Sequence, residues 1–189
     1  MARHVGSEGA ISRGVLVAID PGYAKRGQGC AVALFDGGAL VGAFFARPET
    51  ITPDALTTCA REVVWEKPQL DERTRTSAPA VVELAAVGGT LAGMFAGAAG
   101  CRAHAVTPSA WKGSVAKPVA HGRLWETLSF AERAILGGDA TAARIEAAKR
   151  AGGLDRWGKP GAAYYGAWAG HNLLDAVGIG VWRLGRIQP

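Results

Sequence analysis

Three acidic residues stand where a rigid cation-binding centre would need them. Asp20 closes the run GVLVAID and is followed at once by Pro21-Gly22. Glu66 closes the run EVVWE and is followed by Lys67-Pro68. Asp175 falls near the start of the apolar stretch HNLLDAVGIGVW. Side chains at strand ends cut off by short turns are held in fixed directions, as a metal site requires. Magnesium takes hard oxygen ligands and few of them from protein. Two such ions about 4 Å apart activate water and stabilise the leaving oxygen in phosphodiester cleavage. Each acid also has an ordinary role: an Asp before Pro-Gly bonds its own backbone in a turn, a strand-end Glu is solvated, and an Asp in a first helical turn complements the dipole. Their joint placement, on three separate elements, is what points to chemistry.

The elements that must position them can be read from the pattern. Residues 14–20 form a short β-branched apolar run, a buried strand. Residues 30–35 (CAVALF) form a second strand, Asp36-Gly37-Gly38 a hairpin turn, and Ala39–Ala46 a third strand, giving an antiparallel start. A short helix is expected over residues 53–59 and a fourth strand over 62–66. The polar residues 69–79 precede a glycine- and alanine-rich segment, 84–101, whose Leu84, Val87, Leu91, Met94 and Phe95 recur at helical spacing. That segment is uncharged and nearly long enough to span a bilayer, but its small residues favour a tightly packed soluble helix. Arg102–Val106 reads as a fifth strand, and Thr107-Pro108-Ser109 opens a helical region. Ser129 with Glu132 makes a capping box, and Asp139 is placed to cap a helix running to Arg150. Residues 152–170 form a long glycine- and aromatic-rich loop, of a length usually functional or disordered. The last helix is expected over residues 171–186, with Leu174, Val177, Val181 and Leu184 on one face. The order is that of an α/β layered fold with a mixed sheet.

Bulk composition agrees. The chain has 189 residues, about half hydrophobic and a fifth charged, with a net charge of +5. This describes one globular domain over residues 14–189, preceded by a loose basic arm over residues 1–13. The positive charge suits a polyanionic partner. Cys30, Cys59 and Cys101 are odd in number and lack CxxC spacing, so they read as reduced, mostly buried thiols of a cytoplasmic protein and give no zinc site. The N-terminus carries no apolar signal segment.

The stretches VLVAIDPG, VVWEKPQ and HNLLDAVGIGVW resemble, in order, the three signature stretches of RuvC-type Holliday junction resolvases. The resemblance implies a ribonuclease H-like fold with a central mixed five-stranded sheet flanked by helices. It implies a homodimer that uses magnesium or manganese, two ions per site, to cleave branched DNA. Residue by residue, it implies that Asp20, Glu66 and Asp175 are metal ligands. The family usually carries a further Asp or His three positions before the last acid. Here that position is Asn172, which offers one carbonyl oxygen and no charge, with His171 just before it. His171 is four residues from Asp175 and shares its helix face, which makes it a candidate fourth ligand or general base.

Lys112 and Lys117, in TPSAWKGSVAK, resemble the lysine-bearing segment that approaches the scissile phosphate in these enzymes. A lysine there neutralises charge developing on phosphoryl oxygens. Several resolvases carry a junction-wedging aromatic after the second acid; this chain has Gln69 and Leu70 instead. A base-stacking residue would then come from Tyr23 or from Trp157, Tyr164 and Tyr165. Lys25, Arg26, Gln69, Arg73 and Arg75 are candidate DNA contacts, those to phosphate making binding salt-dependent. The glycine-rich helix over residues 79–100 is the candidate dimer interface.

Three alternatives stay open. YqgF-type nucleases of the same fold also follow an Asp-x-Gly strand end with Lys-Arg, as in DPGYAKR. Sugar kinase and actin-like domains open with an Asp-x-Gly strand, but they need a second, duplicated domain. A branched-DNA-binding protein that kept the fold and lost a ligand would account for Asn172.

Overall fold

The computed structural model describes residues 14–21, 29–51, 60–69, 77–150 and 170–188. Five strands, β1 (Val15–Asp20), β2 (Cys30–Asp36), β3 (Ala39–Ala46), β4 (Ala60–Glu66) and β5 (Arg102–Val106), form one sheet in the order β3-β2-β1-β4-β5. β1, β2 and β3 pair antiparallel, whereas β1–β4 and β4–β5 pair parallel. The described helices are α1 (Ala78–Ala99), α2 (Pro108–Lys112), α3 (Lys117–Thr127), α4 (Phe130–Ile135), α5 (Gly138–Arg150) and α6 (Gly170–Arg183). This is the expected α/β architecture, a mixed five-stranded sheet flanked by helices.

The pleat divides the core into two. Successive strand residues face opposite sides, so Val17, Ile19 and Val63 pack with Leu91, Ala92 and Phe95 of α1. Leu16, Ala18 and Val64 pack on the other side with Leu174, Val177, Ile179 and Val181 of α6, and with Trp111, Leu124 and Ile145. The same alternation carries Asp20, two residues beyond Ala18, and Glu66, two beyond Val64, onto the α6 side. One residue past the pairing Ile19↔Trp65, the two acids leave neighbouring parallel strands side by side.

α6 is buried from Leu174 through Val181 without a break, which is wider than the one apolar face expected. Two glycines make this possible. Gly180 lies against the ring of Phe35 and Gly178 against Trp111, with no room at either for a Cβ. The helix axis therefore approaches the sheet more closely than larger residues allow.

α1 is long and apolar enough to cross a membrane by length and composition. It lies on the sheet through Gly88, Leu91, Ala92 and Phe95. Cys30 is buried and Cys101 half-buried. α5 begins at Gly138, so Asp139 sits within the first turn and complements the dipole there instead of capping the helix. The last helix ends at Arg183, short of the expected residue 186, because the chain turns at Gly185 with φ +69°. The arm over residues 1–13, the helix over 53–59, nearly all of the loop over 152–170, and Cys59 lie outside the described residues.

The capping box of α4 forms as expected: Glu132 N donates to Ser129 Oγ and Ser129 N to Glu132 Oε2. Glu132 does more than cap. It is buried, accepts from Leu40 N at 2.9 Å, and takes both Arg186 guanidinium nitrogens at 2.6 and 2.9 Å. These bonds tie β3 to the end of the chain. The Arg186 bond, helped by the backbone donors against the cost of burial, holds the Glu132 carboxyl at about 2 instead of 4.5. A difference of that size contributes roughly 3 kcal/mol. Because the folded value is depressed, the contribution is complete above about pH 4.5 and is lost as pH falls towards 2. Glu132→Gln is therefore expected to lose stability at neutral pH and to flatten the acid limb of the urea-midpoint profile. An unchanged acid limb would show that Glu132 does not carry it.

Candidate active site

Three layers of structure converge on the carboxyl ends of β1 and β4. β1 and β4 supply Asp20 and Glu66. α6 supplies Asp175, which is only 3% exposed beneath them. α2 and the start of α3 close the side, with Trp111, Lys112, Lys117 and His121.

Each acid has its own surroundings. Trp111 Nε1 donates to Glu66 Oε2 at 2.7 Å, and Lys112 Nζ stands 4.0 Å from the same oxygen. Asp175 is gripped on both oxygens: His121 Nε2 bonds Oδ1 at 2.9 Å and Lys117 Nζ contacts Oδ2. Lys117 Nζ also lies 3.2 Å from His171 Nδ1. Two helical pairs, Lys117/His121 on α3 and His171/Asp175 on α6, thus interlock, each pair four residues apart and on one face.

The electrostatics show that the three acids share one neighbourhood. Burial raises the Asp20 carboxyl well above its ordinary range, and the negative charges of Asp175 and Glu66 raise it further, against partial relief from Lys117 and Lys112. Burial also raises Glu66, with Lys112 opposing it and Asp175 adding to it. Asp175 goes the other way. Its burial is more than offset by Lys117 and by His121, so it stays ionised far below the usual carboxylate range. Burial lowers the His121 imidazole, against the pull of Asp175.

Among the described residues no three of His, Cys, Asp and Glu stand close enough together to hold a metal ion as arranged. The donor set nonetheless has the chemistry of a hard divalent cation. It consists of carboxylate oxygens, buried, mutually repelling and rimmed by ammonium groups that already supply positive charge. Asn172 is half-buried on α6 and makes no side-chain bond to the three acids among the described residues. Gln69 is exposed, three residues beyond the end of β4. Lys25, Arg26, Arg73, Arg75, Tyr23, Trp157, Tyr164 and Tyr165 lie outside the described residues.

Two residues of the centre carry no mark in the sequence as chemistry. Trp111 precedes Lys112 and reads as core. His121 is a single histidine in a short helix; its four-residue spacing from Lys117 was the available signal. The seat of Trp111 depends on Gly178, where a Cβ would meet Trp111 Cζ3 at 2.5 Å. Gly178→Val is expected to displace the indole and release Glu66, costing roughly 1–3 kcal/mol in overpacking. Equal chemical-denaturation midpoints for variant and parent would contradict that packing.

The fold and these side chains define an α/β protein with a buried acidic centre, bordered by lysines, at the ends of two parallel strands. No family model matches the chain, and no curated protein does. Solved structures similar to it overall include two of RuvC. One is Thermus thermophilus RuvC in complex with Holliday junction substrate, 17% identical at a TM-score of 0.44, and the other is a Thermus thermophilus RuvC structure, 19% identical at 0.40. Both alignments cover 93% of this chain and 99% of the other. At these identities and scores the likeness is one of general shape.

Proposed function

We propose that the protein is a divalent-metal-dependent endonuclease that nicks branched DNA, leaving 5′-phosphate and 3′-hydroxyl ends. One observation carries the reading. Asp20 and Glu66 leave neighbouring parallel strands side by side, and the buried Asp175 of α6 adds its negative charge to both, in one centre beside Lys112 and Lys117. A fold gains no stability from collecting buried like charges, so such a centre is a functional-site candidate. The resemblance of VLVAIDPG, VVWEKPQ and HNLLDAVGIGVW to resolvase signatures supports the same assignment.

In this reading Asp20, Glu66 and Asp175 hold magnesium or manganese, with His171 or Asn172 assisting. When bound, the metal lowers the pKa of water and stabilises charge on the leaving oxygen. The protein's own groups do the rest. Trp111 and His121 hold Glu66 and Asp175 by hydrogen bonds. Lys112 and Lys117 neutralise charge developing on the phosphoryl oxygens. The net charge of +5 attracts the DNA, and Lys25, Arg26, Gln69, Arg73 and Arg75 are assigned to its backbone. A homodimer would present two such centres to two strands of a four-way junction.

The test is a panel of synthetic forks, flaps, four-way junctions and linear duplexes, incubated with magnesium, with manganese and with chelator. Paired nicks in branched substrates that require metal are expected. Junction binding with no cleavage in either metal would instead favour a branched-DNA-binding protein, the reading that Asn172 and the occupation of Asp175 by Lys117 recommend.

A further inference from the structure

We propose that His121 is a positioning residue for the metal centre, fixing Asp175 so that one carboxylate oxygen is committed to the protein and the other faces the site. The inference rests on the reading of Asp175 as a metal ligand.

The geometry is asymmetric. His121 is fully buried, and its Nε2 meets Asp175 Oδ1 at 2.9 Å. The opposite oxygen, Oδ2, receives the Lys117 ammonium, so Oδ2 is the oxygen turned towards cations. An ionised carboxylate only accepts hydrogen bonds. The imidazole proton must therefore sit on Nε2, with His121 as donor. Without that donor Asp175 would keep only the Lys117 contact on Oδ2, and its terminal torsion, which is soft for a carboxylate, would be less constrained. His121 is itself held by the fold: it occupies the interior face of α3, one turn beyond Lys117, and α3 packs against both α5 and α6. Two elements distant in sequence, α3 and α6, are thus coupled at the centre of the site by this bond together with the two contacts of Lys117.

Outer hydrogen bonds of this kind are worth about 10–100-fold in metal affinity. Manganese binding by the purified full chain, followed by calorimetry, is the direct readout, with the thermal midpoint in chelator as the control for folding. His121→Phe keeps the volume and removes the donor, and it is expected to bind manganese about 10–100-fold more weakly. His121→Gln carries an amide N–H to nearly the place of Nε2 and is expected to recover most of the affinity. His121→Asn, whose amide is too short to reach, is not. Should the Phe variant fail to fold, the Gln and Asn pair reads the same quantity. Equal affinity across folded variants overturns the positioning role while leaving the metal centre intact. A parent protein that binds no manganese overturns both this inference and the nuclease reading beneath it.

Discussion

Asp20→Asn is expected to abolish metal-dependent cleavage while leaving affinity for branched DNA unchanged. The substitution keeps the shape of the side chain and one carbonyl oxygen, but removes the charge and one anionic ligand atom. A metal centre contributes several kcal/mol of transition-state charge stabilisation. At about 1.4 kcal/mol per tenfold, its disruption lowers the rate by roughly 10³-fold. Binding should survive because Asp20 is not among the groups assigned to the DNA backbone. The same substitution should make the metal-free protein more stable near neutral pH. In the parent, burial, Asp175 and Glu66 all disfavour the charged form of Asp20. A carboxyl raised in the folded state adds stability only while protonated, and this is lost as pH rises through the raised value. An asparagine carries no such penalty. Under the proposed function, activity and stability are thus opposed at this position, as expected where an active site stores unfavourable charge. Nicking assays and thermal melts in chelator measure the two halves. A variant that cuts within tenfold of the parent would remove Asp20 from the centre.

Lys117→Met should have the largest effect on stability without metal. Asp175 is almost wholly buried, and Lys117 supplies the charge on its Oδ2. Removing one partner of a buried pair leaves an uncompensated ion and costs about 3–5 kcal/mol, somewhat less here because the lysine is 22% exposed. A divalent cation would replace the missing charge. Saturating manganese should therefore raise the melting temperature of Lys117→Met by more than it raises that of the parent, since a ligand at 100 times its dissociation constant adds about 2.7 kcal/mol. Under the proposed function cleavage should stay low even then, because the charge assigned to the phosphoryl oxygens is gone. A variant as stable as its parent in chelator would mean that His121 alone sustains the Asp175 charge.

These two residues divide neatly in how visible they were before folding. Asp20 was legible because it ends a β-branched run before Pro-Gly, and local sterics determine both the strand and its stop. Glu66 was legible for the same reason before Lys67-Pro68. The hairpin at Gly37-Gly38, the strands Ala39–Ala46 and Arg102–Val106 and the Ser129/Glu132 box likewise follow from local conformational preference, and all four form. Lys117 was singled out by its neighbours in sequence, but its grip on Asp175, across 58 positions of chain, was not readable there.

What the chain determined by itself is therefore its periodicities: where strands run and stop, and that three acids sit on three such elements. The tertiary structure alone decided how those acids are held. Strand alternation turns Asp20 and Glu66 to one side of the sheet, but only the packing of α6 places Asp175 beneath them. That packing depends on Gly178 and Gly180, whose missing Cβ atoms matter only once Trp111 and Phe35 lie against them. Trp111 and His121 gained their roles in the same way, each reaching a carboxylate 45 and 54 positions away. A hydrogen bond between distant segments leaves no period in the sequence, because it depends on the meeting of two surfaces and not on the spacing along either one.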